Sequence, residues 1–359
     1  TQNIFDTASA LQMRRTHRLL AGHLDAAITA LARLALAERD TPMAGRTHGQ
    51  HALPMTFGFK LAGWIDELDR DRRRLHERLA PSFVACMGGA IGTFAAMGAA
   101  GREVEARLAA QLELQPAGLP MRSSYDRASD YIAALALLAG TALKIAEDVA
   151  FMQRTEIGEA AEAFHMGKVG SSTMAQKRNP STALLLASLA RLLRARVPPA
   201  LEAMVRMDEG DSSATNVTDT LLPEIAIIAA SVAETLARLA EGLVVNRAAM
   251  RRNLDLTQGL IVAEAAMMQL TRLMGRHEAH ALLYEAAQRA QTEGLPFLTA
   301  IAEHPRLAQH GVPPELARSL DPSAYVGASA AITEEVVARA TGATSATSAT
   351  YATPQRPAA

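Results

Sequence analysis

Between Gly170 and Pro180 the chain reads Gly170-Ser171-Ser172-Thr173-Met174-Ala175-Gln176-Lys177-Arg178-Asn179-Pro180, a mixture suited to holding an anion. Gly167 and Gly170 permit backbone shapes closed to other residues, and Pro180 suits the first turn of a following helix. Such a loop can turn its N–H groups, its hydroxyls and the Lys177 ammonium toward one negative charge. Loops rich in Ser, Gly and Asn also occur as plain connections, so composition alone leaves both readings open. A second polar stretch, Gly45-Arg46-Thr47-His48-Gly49-Gln50-His51, lies between Pro42 and Pro54. His48 and His51 share that loop without a further ligand set, and no Cys/His cluster has structural zinc spacing, so neither metal nor cofactor is expected.

The first stretch resembles the signature loop of the fumarase/aspartase superfamily, G-S-S-x-M-P-x-K-x-N-P, with Ala175 standing where proline is usual. Two further stretches carry the same resemblance. Gly45 to Pro54 matches G-R-T-H-x-Q-x-A-x-P in full, and Thr1-Gln2-Asn3 with Asp6-Thr7-Ala8 is similar to a shortened T-[ST]-x-[DN] followed by D-T-A. The likeness covers all but the tail. It implies an N-terminal segment ahead of Thr1, a homotetramer, and active sites each built from three subunits.

The chemistry implied is removal of a proton beside a carboxylate, which builds a doubly charged, enediolate-like intermediate. Cations and donors that bind this species better as charge accumulates are therefore required. By resemblance, Lys177 and Asn179 hold the carboxylate, with Thr1, Asn3, Thr47 and Gln50 as further substrate contacts. Ser171 is implied as the base, although a serine needs its alkoxide stabilised by neighbouring amides. Met174 is expected to offer a backbone N–H and Ser172 a loop contact, while His48 reaches a second carboxylate or orients its neighbours. The loop over 165–180 is expected to close over a bound dicarboxylate.

The run Met207-Asp208-Glu209-Gly210-Asp211-Ser212-Ser213 lacks the histidine that adenylosuccinate lyases and many relatives carry there. An amine leaving group needs a proton donor, whereas a weakly basic one does not. The runs Met250 to Ala265 and Leu320 to Gly327 look most like 3-carboxy-cis,cis-muconate cycloisomerases. The resemblance thus implies a lyase that eliminates a weakly basic group from a substituted succinate to give fumarate or a related acid, a nitrosuccinate lyase being one case. Lactonisation of carboxymuconate is the alternative, and a non-catalytic homologue of the crystallin type is a reading of another class. The substrate is a small dicarboxylate or tricarboxylate in each enzymatic case.

The elements that must position these residues are helices. Apolar residues make up 49% of the chain and aromatics 4%, with a net charge of −1. This favours close-packed helices over sheets and gives no case for nucleic acid or an anionic membrane as partner. No apolar run of membrane-spanning length is free of charges. One cysteine, Cys86, excludes an internal disulfide and suits a reducing compartment, taken as the cytoplasm. Long helices are predicted over 4–38, 55–81, 125–158, 181–207 and 222–244, separated by loops at 42–54, 116–124 and 208–220. The polar run 66–74 reads as a ladder of ion pairs. Apolar residues surround the axis of the 181–207 helix, which calls for cover from other copies of the chain. The fold class expected is all-α, with a long-helix bundle over 1–246, a smaller helical domain over 247–341 and a low-complexity tail over 342–359.

Overall fold

The computed structural model describes residues 1–164, 173–174, 176–308 and 314–342. The chain is built of helices, as the all-α reading expects, with a few short strands. In order come α1 (Gln2–Ala37), β1 (Pro42–Thr47), β2 (Gln50–Thr56), α2 (Phe57–Ser82), β3 (Val84–Ala85), α3 (Gly101–Gln111), β4 (Gln115–Pro116) and α4 (Asp126–Met152). These are followed by β5 (Ala160–Glu162), α5 (Ser181–Arg194), α6 (Val197–Glu202), α7 (Ser212–Glu241), β6 (Leu243–Val245) and α8 (Arg247–Leu254). The C-terminal helices are α9 (Ala263–Met274), α10 (Arg276–Glu293), α11 (Phe297–Ala302), α12 (Pro305–Ala308), α13 (Pro314–Ser319) and α14 (Ser329–Thr341). Two compact units divide the chain: one takes Thr1–Leu31, Trp64–Phe151 and Ala161–Leu243, the other Ala32–Gly63, Met152–Ala160 and Val244 onward.

The first unit is a bundle of long helices. On α4, Ile132, Leu135, Leu138, Ala142, Ile145 and Val149 are buried, spaced by three or four residues so that they fall on one face. On α7, Ile225, Ala229, Val232 and Leu236 repeat that spacing. Small alanines on the buried face let backbones approach closely. The 66–74 ladder forms as expected: Arg70 pairs with Asp66, Arg72 and Arg73 with Asp69, and Arg74 with Asp71. It also ties neighbouring helices together, through Arg72 to Asp25 of α1 and Thr141 Oγ1 of α4 to Asp71 at 2.7 Å.

Three elements depart from the sequence-based expectation. The 42–54 segment is strand rather than loop, because Met43 and Ala44 point into apolar surroundings and pair across a hairpin. The 181–207 helix stops at Arg194 and restarts at Val197, where Pro198 and Pro199 fit a first turn but not a helix interior. The last bundle helix begins ten residues early, at Ser212, since Asp211 caps it by accepting from Ser213 N at 2.8 Å. Both α1 and α7 contain stretches as apolar as a membrane span, of which 44% and 50% are buried within the chain itself.

In the second unit the helices from α8 onward surround Leu254, Val262, Leu270, Leu282, Phe297 and Ile301, all buried. The low-complexity tail lies, from residue 343, outside the described residues.

Candidate active site

The residues of the G-R-T-H stretch sit on the β1–β2 hairpin. Thr47 pairs with Gln50, leaving His48 and Gly49 as a two-residue turn with φ of 53° and 76°. Both central residues of such a turn need positive φ, which glycine adopts freely and histidine more readily than bulkier side chains. Thr47, His48 and Gln50 are thereby presented together at an exposed tip. A bulge between Ala44 and Arg46 turns the strand. Only glycine fits there, since a Cβ on Gly45 would stand 2.8 Å from the Leu53 carbonyl oxygen.

Arg46 anchors the hairpin. Its Nη2 and Nη1 donate to the two carboxylate oxygens of Glu159 at 2.6 and 2.9 Å, and Glu159 is fully buried. Asn253 Nδ2 donates to Glu159 Oε1 at 2.9 Å and to the Ile157 carbonyl at 2.8 Å, so the buried charge has several partners. Two-pronged arginine–carboxylate pairing fixes direction as well as distance. His51, beside this pair, has a buried Nδ1 with no hydrogen-bond partner. Burial first, and the Arg46 charge second, lower its pKa from the usual histidine value, which favours the neutral ring.

Thr1 and Asn3 stand at the start of α1, in the first unit. Asn3 Oδ1 accepts from Gly89 N at 2.9 Å, while Asn3 Nδ2 is buried with no partner. The amide is thus fixed by its oxygen and keeps a donor unspent. A buried donor without an acceptor costs on the order of 1–3 kcal/mol, which a ligand can recover.

Of the signature loop, Ser171, Ser172 and Ala175 lie outside the described residues, as does 165–170 and with it the expected loop closure. The root of the loop is described. Lys177 N donates to the Met174 carbonyl at 3.0 Å, closing a turn, and Ser181 N to the Asn179 carbonyl at 2.9 Å. The buried Glu162 carboxylate accepts from Thr182 N and Ala183 N at 2.8 and 3.1 Å, capping α5 where unpaired N–H groups and the helix dipole favour negative charge. Arg178 covers the Phe164 ring at 4.3 Å. Among the described residues the exposed Lys177 ammonium has no partner.

The motif residues therefore stand on three separate supports. Thr47, His48 and Gln50 share the hairpin tip, Met174, Lys177 and Asn179 share the root of α5, and Thr1 and Asn3 share the start of α1. Sequence reading did not single out Glu159, Asn253 or Glu162. Their only signal was acidic or amide residues in an apolar setting, as in Ile157-Gly158-Glu159-Ala160-Ala161-Glu162.

A lyase family model matches residues 1–193, and a model of the adenylosuccinate lyase C-terminus matches 259–336. An N-acetyl-S-(2-succino)cysteine lyase of Dickeya dadantii is 38% identical, over 95% of this chain and 75% of that protein. A 3-carboxy-cis,cis-muconate cycloisomerase of Bradyrhizobium diazoefficiens is 37% identical, over 94% and 75%. The crystal structure of the 3-carboxy-cis,cis-muconate lactonizing enzyme from Pseudomonas putida superposes with a TM-score of 0.88 at 34% identity, covering 96% of this chain and 76% of that one. Motif, fold and similarity along nearly the whole chain agree: it belongs to the fumarase/aspartase superfamily and is an enzyme of the lyase and cycloisomerase kind.

Proposed function

We propose that the protein is a β-eliminating lyase that cleaves a C–S bond in a 2-succinyl thioether, releasing fumarate and a thiol. The observation that carries this is the near full-length similarity to the Dickeya dadantii N-acetyl-S-(2-succino)cysteine lyase. It joins with the run 207–213, which holds no histidine to protonate an amine. A thiol has an ordinary pKa of about 8.5, so it departs as thiolate without a strong acid behind it.

In this reading Ser171 removes the proton from the carbon beside one carboxylate, and the electron pair moves into that carboxylate. Collapse of the resulting dianion forms the C=C bond and expels the thiolate. Lys177 and Asn179 hold the charge-accumulating carboxylate, and the unspent Nδ2 of Asn3 suits the role of a further donor. Thr47, His48 and Gln50 come from the hairpin to the second carboxylate, Met174 offers its N–H, and Thr1 and Ser172 complete the contacts. The three supports come from different copies of the chain in a homotetramer. Large apolar side chains exposed on bundle helices support that assembly: Leu137 is 54% exposed, Leu184 53% and Ile227 69%.

Lactonisation of 3-carboxy-cis,cis-muconate is the second reading, favoured by the cycloisomerase relatives. It uses the same stabilised carboxylate but an internal carboxylate as the group that adds or leaves. Incubating the purified chain separately with N-acetyl-S-(2-succino)cysteine and with 3-carboxy-cis,cis-muconate, and following ultraviolet absorbance, decides between them. Fumarate formation from the thioether is expected. Turnover of carboxymuconate alone would transfer the function to the second reading.

A further inference from the structure

A cleft of about 770 Å³, counted out to solvent, opens in the first unit between the start of α1, the start of α4 and α7. Three arginines line it: Arg122, Arg127 and Arg206. Each is held by backbone carbonyls. Arg122 Nη1 donates to Ala90 O at 3.4 Å, Arg127 Nη2 to Ala117 O at 3.3 Å, and Arg206 to Ala203 O and Arg122 O at 3.0 and 2.9 Å. Among the described residues none of the three pairs with a carboxylate, whereas arginines along α2 do so repeatedly.

Two residues that line this cleft each hold a buried polar atom without a partner, Arg122 Nε and Tyr125 OH. The Arg206 guanidinium lies over the Tyr125 ring at 4.7 Å, and burial keeps that phenol protonated, able to donate. Gly210 makes room for Arg122, since a Cβ there would stand 3.1 Å from its guanidinium carbon. The two acidic residues of the lining, Asp6 and Asp219, leave the balance positive. Burial also raises the pKa of Asp6, which accepts from Gln2 at 2.8 Å. A planar carboxylate satisfies such a set, taking paired N–H groups from a guanidinium and an O–H from the phenol.

The cleft adjoins the Asn3 end of the candidate active site. Asp6 follows Asn3 by one turn of α1, and the Gly89-Ala90 pair donates to Asn3 and accepts from Arg122. We propose that Arg122, Arg206 and Tyr125 form a carboxylate subsite that receives a third carboxylate of the substrate, carried on its leaving-group arm, and so selects tricarboxylates over plain succinates. This rests on the elimination reading for the identity of the arm, while the anion site itself stands on the geometry of the cleft.

Calorimetry on the full chain with propane-1,2,3-tricarboxylate and with succinate tests the subsite. The tricarboxylate should bind about tenfold to a hundredfold tighter, as one charge-assisted contact allows. Arg122→Gln should remove most of that difference, Arg122→Lys should restore part of it, and Gly210→Ala should weaken it by pushing on the guanidinium without removing its charge. In kinetics, Arg122→Gln should raise KM for the N-acetylcysteine thioether about tenfold and leave KM for the N-acetylcysteamine thioether, which lacks the third carboxylate, nearly unchanged. Fumarate release with the ligand preference intact in Arg122→Gln would overturn the subsite and keep the elimination reading. An Arg122-dependent preference in a chain that releases no fumarate would keep the subsite and remove that reading.

Discussion

At the scale of single residues, Ser171 and Lys177 divide the proposed elimination between proton transfer and charge stabilisation. Ser171→Ala should lower kcat by several orders of magnitude while substrate still binds, because the carboxylate contacts remain. Lys177→Ala should raise KM and lower kcat together, since the ammonium meets charge in both ground and transition states; steady-state kinetics of the two variants separates the roles. A different residue governs stability against acid. His17 is buried, its Nδ1 lies 2.8 Å from Tyr131 OH, and burial with help from His76 lowers its pKa from 6.5 to about 4. Between those values the unfolded chain binds a proton that the folded chain excludes. The stabilisation is therefore complete above about pH 6.5 and is lost as pH falls toward 4, by on the order of 1–3 kcal/mol. Urea unfolding at pH 7 and pH 4.5 should show a smaller acid loss in His17→Gln than in the wild type. Residue types carried the legible part of the candidate site: a lysine, an asparagine, serines and a Thr-His pair at fixed spacings. Partnership was not legible. Nothing in the string Thr1-Gln2-Asn3 says that Asn3 spends its oxygen on Gly89 and keeps its Nδ2.

Among the elements, the hairpin carries the candidate residues Thr47, His48 and Gln50. It reads as a loop from sequence because Gly45, Gly49 and two prolines signal turns, while the pairing that makes it a hairpin is a tertiary choice. Arg46 holds it to the buried Glu159. Removing one partner leaves the other charge uncompensated, so Glu159→Gln should cost about 3–5 kcal/mol of stability in that unit. It should also lower kcat/KM by tenfold or more if the hairpin orients Thr47 and His48. Paired urea and activity measurements check both parts, and full activity in Glu159→Gln would show that the hairpin does not need this anchor. The long helices were readable because Ala and Leu recur at helical spacing. Their ends were less so: the Asp211 cap lies in a polar run that resembles loop, and the signal that starts α7 there is one side chain accepting from Ser213 N. A cap is worth about 1 kcal/mol and leaves little trace in composition.

For the whole molecule, the exposed apolar residues on α4, α5 and α7 argue for other copies of the chain covering them. Ile227→Glu should place a charge on such a face, dissociate the proposed tetramer in light scattering and abolish turnover together with it. A stable, active monomer would contradict shared sites. Overall helix content and superfamily membership were legible in the sequence, since both rest on patterns spread along the chain. Which copy would supply which motif in the proposed assembly is not written in any one stretch. Cleavage of the C–S bond can be followed by proton NMR of the reaction with N-acetyl-S-(2-succino)cysteine. The vinyl signal of fumarate should rise in equal amount with free N-acetylcysteine, and both should vanish in Ser171→Ala. An unchanged thioether spectrum beside rapid conversion of 3-carboxy-cis,cis-muconate to a lactone would contradict it.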